Sequence, residues 1–396
     1  MHEVIDDPPR SLYVHVPFCA HRCGYCDFVT TSRSPEIHAR YVAALARELE
    51  LQGGAPRGGF DTVFVGGGTP TLLEPSAMDA LQQWLGSVVA PGAEVTIECN
   101  PETVTDALAT QLAGGATTRV SLGAQSFDPA VLATLERRAS PEVVRTAVSE
   151  LRDAGVDRLS LDLIWGVPGQ SPESVAADLD AALALEPDHL SAYELEFKPG
   201  TRLAHAHGTD KDAIVGEASD DLYDLVVDHL QDAGWWWYET ANFARERDER
   251  CRHNLAYWRA AGWIAVGVGG VGMRADDDAA GGAVRRTNLP NVPRWLDAVE
   301  RGELPPARIE HVDERGVRSE RVMLALRLDE PVRVVAADVA DGIVDAAGVE
   351  RIVELGLGEA VPVADHDGVL RGDLELRINR RGRMLQGSVG ALLLDP

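Results

Sequence analysis

Short runs of β-branched and apolar residues alternate along this chain with longer stretches in which apolar residues recur at helical spacing. The first pattern predicts strands at Ser11–Val16, Asp61–Val65, Glu94–Glu98, Arg119–Ala124, Arg158–Ile164 and His189–Glu196. The second predicts helices over Glu36–Leu51, Pro75–Val89, Pro129–Ala154, Pro172–Leu185 and Asp212–Ala233. Strands separated by helices pair in parallel through right-handed crossovers, so six such repeats predict an α/β fold, a sheet curved into a partial (β/α)6 barrel. Ligands of such sheets bind at the carboxyl ends of the strands.

The conspicuous motifs fall at those ends. Cys19, Cys23 and Cys26 follow the first strand, Gly66-Gly67-Gly68-Thr69 the second, and Glu98-Cys99-Asn100-Pro101 closes the third. Gln125 stands at the end of the fourth strand and Asp162 begins the motif that ends the fifth. Three thiolates on one short loop can hold three corners of a [4Fe–4S] cluster and leave one iron open, whereas electron-transfer clusters normally take four cysteines. A zinc knuckle is the rival reading, and it needs a fourth ligand such as His21. The glycines admit a ligand close to the backbone or simply make a tight turn. Glu98 and Asp162 can accept hydrogen bonds from a polar ligand or cap the next helix. Gln125 can orient a polar ligand, and Arg137 can pair with a carboxylate or lie on the surface.

With 396 residues the chain is long enough for a large core and a second domain. Its net charge of −26 argues against a main role in gripping nucleic acid or an anionic membrane surface. No apolar run approaches the roughly 20 residues of a membrane span. Residues Met1–Arg10 are acidic and proline-containing, which fits neither a signal nor a transit peptide. Five cysteines, an odd number, do not suggest a disulfide framework. A cytoplasmic location is the expectation, and it suits an oxygen-sensitive cluster.

The C-x3-C-x2-C spacing with Tyr25 ahead of the last cysteine resembles the cluster loop of radical S-adenosylmethionine (SAM) enzymes. The ordered set of motifs resembles one branch, the coproporphyrinogen III dehydrogenase and heme chaperone HemW family. That set includes His189-Leu190-Ser191-Ala192-Tyr193, Lys198-Pro199-Gly200-Thr201, His253-Asn254-Leu255-Ala256-Tyr257-Trp258 and Met323-Leu324-Ala325-Leu326-Arg327-Leu328. The resemblance implies a radical SAM barrel with Cys19, Cys23 and Cys26 as [4Fe–4S] ligands. It implies SAM contacts from Tyr13, Tyr25, Gly67, Gly68, Thr69, Glu98, Gln125, Arg137 and Asp162. Two residues after the third cysteine, where the dehydrogenases carry a fourth cysteine, stands Phe28, which favours the HemW branch.

The pattern His253-Asn254-x-x-Tyr257-Trp258 implies heme binding. His253 offers an imidazole for iron, while Tyr257 and Trp258 offer flat faces for a macrocycle. Cys251 is a competing soft ligand, and a loop-bonded histidine beside core aromatics is the bland alternative. The chain departs from the family at Leu135-Glu136-Arg137-Arg138-Ala139, usually L-G-R-x-H, and at Gly267-Val268-Gly269-Gly270-Val271, usually G-x-G-A-H. A glycine and two histidines are thereby lost.

The expected organisation is a tail over 1–10, the barrel over 11–240, a linking segment over 241–305, and a small helical, winged-helix-like domain over 306–396. The implied function is a heme chaperone that passes heme to a recipient hemoprotein such as a respiratory-chain component, with a homodimer left open. The alternatives are oxygen-independent coproporphyrinogen III dehydrogenase and a class C-type radical SAM methyltransferase or cyclopropanase.

Overall fold

The computed structural model describes residues 8–32, 34–209, 218–364 and 370–394. The expected tail over 1–10 lies mostly outside them, as does the start of the helix expected from Asp212.

The chain opens with β1 (Ser11–Val16) and a two-residue parallel ladder, β2 (Phe18–Cys19) with β3 (Thr31–Ser32), whose strands flank the cysteine loop. Next come β4 (Phe60–Gly67), β5 (Val89–Cys99), β6 (Arg119–Gln125), β7 (Arg158–Trp165) and β8 (His189–Glu194), each parallel to its neighbour in the order β1-β4-β5-β6-β7-β8. Alternate residues Leu12, Val14 and Val16 of β1 are fully buried, as are Val63 and Val65 of β4. Parallel strands covered by helices have this apolar character.

The crossover helices are α1 (Pro35–Leu51), α2 (Pro75–Val88), α3 (Asp106–Ala113), α4 (Pro129–Thr134), α5 (Pro141–Asp153) and α6 (Pro172–Leu183). Most begin with proline, whose missing N–H costs nothing in the first turn. On α5 the buried residues Val144, Ala147, Val148 and Leu151 follow the i, i+3, i+4, i+7 spacing of one helix face. Val144, Val148 and Leu151 each contribute about 1.5–3 kcal/mol by leaving water. The single helix expected over Pro129–Ala154 is two. Ser140 caps α5 by accepting from the Val143 N–H, and the residue before a proline avoids helical geometry. In the break, Glu136 takes a φ of 56°.

Residues 241–305 do more than link. After α7 (Arg202–His207), α8 (Ala218–Asp232) and β9 (Trp236–Trp237), strand β10 (Asn242–Ala244) pairs antiparallel with both β8 and β9. Helix α9 (Arg252–Trp258) leads into β11 (Trp263–Val266), a seventh parallel strand on the free side of β1. Strands β12 (Val271–Ala275), β13 (Ala283–Asn288) and β14 (Ala307–Val312) continue the sheet antiparallel from there. The acidic stretch Asp276–Gly282 is the turn between β12 and β13, where His311 Nδ1 lies 2.8 Å from Asp276 Oδ2.

Beyond α10 (Val292–Glu300) and α11 (Glu314–Ala325), the strands β15 (Val332–Val334), β16 (Gly358–Ala364) and β17 (Leu370–Ile378) form a separate antiparallel sheet. Val322, Leu326, Ile343, Ile352, Leu376 and Val389 belong to a core of their own. This small domain docks on the barrel edge through aromatic residues. The Arg383 guanidinium lies 3.6 Å from the Trp237 ring centroid and Nη1 donates to the Trp237 carbonyl at 3.0 Å. Arg327 lies 4.8 Å from the Trp258 centroid.

One buried carboxylate ties α1 to the β11 side of the sheet. Glu48 accepts from the Gly267 N–H (2.8 Å), Trp295 Nε1 (2.8 Å) and Asn288 Nδ2 (2.7 Å). Burial outweighs these donors and pushes its carboxyl up to about 6.

Candidate functional site

The cysteine loop is anchored before it is reactive. Phe18 is fully buried, 5.2 Å from the Tyr41 ring and 4.3 Å from the His38 ring, which fixes where the loop leaves β2. The Gly24 N–H donates to Leu135 O at 3.3 Å, the Leu203 N–H donates to Gly24 O at 2.9 Å, and Arg22 Nε donates to Cys26 O at 3.1 Å. Cys19, Cys23 and Cys26 are free, partly exposed thiols lining a single cavity of about 510 Å³. Burial pushes Cys19 up to about 11 and raises Cys26, so both stay protonated unless metal binding strips them. Among the described residues no three His, Cys, Asp or Glu side chains are gathered at single-ion spacing. A cubane takes one thiolate per iron, so its ligands sit apart. His21, the alternative ligand, has Nε2 3.6 Å from Glu136 Oε2.

The same cavity is lined by Tyr25, Gly67, Gly68, Thr69, Glu98, Gln125, Arg137 and Asp162. Gly67 has a φ of 104°, and a Cβ there would meet the His15 ring at 2.3 Å. Its N–H donates to Glu98 Oε2 at 2.9 Å. Burial raises Glu98 to about 7 against that donor, and Asp162 adds to the rise. Asp162 is raised too, by burial, although Ser191 and Ser121 donate to it; the Ser121 distances are 3.0 and 2.9 Å. Two buried carboxylates held above their ordinary range are poised to receive a cation, which would restore their charge.

The anion side of the cavity is Arg137. Its Nη2 donates to Gly123 O at 2.9 Å and to Asn100 Oδ1 at 3.1 Å, and Nη1 lies 3.5 Å from Cys23 Sγ. Nε is buried and has no hydrogen-bond partner among the described residues. Asn100 Nδ2 in turn donates to Thr69 Oγ1 at 3.0 Å, and that hydroxyl lies 3.8 Å from Cys19 Sγ. A guanidinium beside the thiols and two acidic groups in the same cavity suit a ligand that carries a carboxylate and a cation, as SAM does. The donor set fits both the cluster and SAM.

A second cavity, of about 640 Å³, opens beside the first and shares Asp27 and Phe28 with it. Its walls are largely apolar and come from β1, α9, β11–β13 and α11. Tyr13 lines this cavity and not the one with the cysteines, which separates it from the other eight residues expected around SAM. Tyr257 and Trp258 line it as well. His253 does not. It is fully buried behind them, with Nδ1 2.9 Å from Thr62 Oγ1 and Nε2 2.8 Å from Tyr257 OH. Burial drives its imidazole down to about 3, so it stays neutral. Cys251 is also fully buried, its Sγ 3.6 Å from Glu94 Oε1.

Residues 13–182 match the family model of the radical SAM superfamily. The heme chaperone HemW of Mycobacterium tuberculosis is 37% identical over 374 residues, covering 88% of this chain and 92% of that protein. HemW of Escherichia coli K12 is 34% identical, covering 72% of this chain and 75% of its own length. The chain belongs to the HemW family of radical SAM proteins. The Escherichia coli structure described as coproporphyrinogen III oxidase (HemN), a radical SAM enzyme, superposes with a TM-score of 0.77 at 20% identity. It covers 97% of this chain and 89% of its own, so the fold is shared throughout.

The departures from the HemW pattern have distinct settings. Glu136, in place of the glycine, holds the positive φ and accepts from Arg202 Nε at 3.1 and 3.0 Å. Ala139 is buried at the start of the α5 cap, and Val271 lines the apolar cavity. Asn100, which has no assigned role in the sequence reading, bridges Thr69 and Arg137, and its place directly after the strand-end Glu98-Cys99 pair is the signal for it.

Proposed function

We propose that this chain binds heme and delivers it to a recipient hemoprotein, as a radical SAM heme chaperone of the HemW type. The observation that carries the proposal is the 37% identity to a HemW along nearly the whole chain, with Phe28 where a dehydrogenase would carry a fourth cysteine. Cys19, Cys23 and Cys26 would hold the cluster. Gly67, Gly68, Thr69, Gln125 and Tyr25 would line the SAM site, with Glu98 and Asp162 meeting its cationic end and Arg137 its carboxylate. With both groups bound, this site would supply one-electron reductive cleavage of the SAM sulfonium, releasing methionine. The protein's share is to bring the acidic pair and the guanidinium into one cavity with the thiols.

Among the described residues no helix is long and apolar enough to cross a membrane. The cytoplasm is the proposed location, where reduced thiols persist, and a respiratory-chain hemoprotein is a proposed recipient. Anaerobic reconstitution followed by heme titration tests the reading, alongside SAM-cleavage assays with and without coproporphyrinogen III. Stoichiometric heme binding supports it. Conversion of coproporphyrinogen III to protoporphyrinogen IX without heme binding replaces it with the dehydrogenase alternative.

A further inference from the structure

The heme reading leaves open where the macrocycle sits and what faces its iron, and the motif histidine does not answer either question. Both His253 nitrogens are engaged by Thr62 and Tyr257, and the ring is fully buried. The cavity of about 640 Å³ in front of it lies within the roughly 300–1,000 Å³ range of small-molecule sites. It has aromatic walls in Tyr257 and Trp258 and aliphatic ones in Val271 and Leu324. Among the described residues its cationic side chain is Arg285, bonded to Glu320 at 2.7 and 2.8 Å and to Glu310 at 3.1 Å. The apolar walls match the faces of a flat macrocycle, while Asp27 and Glu320 line the cavity beside the engaged Arg285.

Of the groups that commonly ligate heme iron, most in this cavity are committed elsewhere. His15 has Nε2 2.7 Å from Val29 O and Nδ1 3.2 Å from Tyr13 OH. Tyr257 OH bonds His253, and the Met273 thioether accepts from Arg285 at 3.6 Å and is almost wholly buried. Met323, on α11 of the small domain, lines the cavity and is 45% exposed.

We propose that the heme macrocycle lies in this cavity between the barrel mouth and α11, with its iron facing the Met323 thioether. This rests on the heme-chaperone reading above. A lone thioether is a weak, soft ligand for iron, which suits a protein that must release its cargo.

The test is an anaerobic titration of the full-length, cluster-reconstituted protein with reduced heme. Val271→Trp on β12 and Leu324→Trp on α11 fill the cavity from two elements, and each is expected to weaken heme binding at least tenfold while cluster iron and SAM affinity stay at wild-type levels. Met323→Leu is expected to shift the Soret band of the bound ferrous heme, and an unchanged spectrum overturns the ligand assignment. Wild-type heme affinity in both tryptophan variants, with loss of heme in His253→Ala, overturns the site. A wild-type protein that binds no heme overturns the chaperone reading itself, before any variant is compared.

Discussion

Arg137 lies between Cys23 and Asn100, with Nη1 3.5 Å from the thiol and Nη2 3.1 Å from the amide oxygen. One guanidinium thereby braces the cysteine loop and faces the strand ends, so the cysteine loop and the cavity proposed for SAM are built as one unit. Predictions about either must therefore be read with the other as control.

Changing Cys19, Cys23 or Cys26 to serine should remove the cluster. A hydroxyl is a far poorer ligand for iron than a thiolate, so anaerobically reconstituted protein should fall from roughly four irons per chain to near zero. Iron analysis and the visible absorption near the charge-transfer bands check this. Full iron content in all three variants would remove the cluster assignment.

Asp162→Ala should weaken SAM binding while iron content is kept. Loss of a hydrogen bond to a charged group costs about 1.5–3 kcal/mol, which is at least tenfold in affinity. Equilibrium binding to reconstituted protein measures it, and equal affinity in wild type and variant would count against the site.

Glu48 should give the fold a pH dependence. Its carboxyl is raised from 4.5 to about 6, so the native state holds a proton that the unfolded chain has released between those values. Stability is then highest below the unfolded value and is lost as pH rises through about 6, by about 2 kcal/mol. His253, driven down by burial, acts in the opposite direction, losing stability as pH falls below its ordinary value. The measurement is therefore the difference between wild type and Glu48→Gln in urea melts from pH 4.5 to 7. A difference that stays constant across that range would exclude the effect.

His253→Ala should act on the fold before it acts on any ligand. It removes the bonds to Thr62 Oγ1, which keeps Ser11 Oγ as a partner at 2.9 Å, and to Tyr257 OH, and leaves a cavity, together a loss of about 2–4 kcal/mol. Thermal melting of the apoprotein reports it. An unchanged melting temperature would show that the ring is not held as described.

Much of the barrel was legible because parallel strands are short apolar runs set off by amphipathic helices. The strand starts at Ser11, Arg119, Arg158 and His189 coincide with expectation. What escaped was short or non-local. Strand β11 has four residues, too few to show a period, and it finds its place only by pairing with β1, some 250 positions away in sequence. Helix α3, with eight residues, was missed although Thr105 is a good cap that accepts from the Leu108 N–H. The long helix over Pro129–Ala154 overlooked Ser140-Pro141, which is a stop and a start together. At the site, eight of the nine expected SAM residues share one cavity, because strand ends converge in any such sheet. Tyr13 does not, since alternation along β1 tells which face a residue takes but not how deep along the barrel it lies. His253 shows the same limit. A motif gives the order of residues, while burial decides which of them a ligand can reach.

The turn at Glu136 has exchanged a steric requirement for an electrostatic one. A glycine would adopt the positive φ unaided, whereas this glutamate is secured by Arg202, which also holds its carboxyl below the usual range. Both side chains are substantially exposed, so their attraction is the kind that dissolved salt screens. Arg137 follows directly in the chain, so the turn that presents it toward the thiols is held by a contact that ionic strength weakens and that also depends on α7.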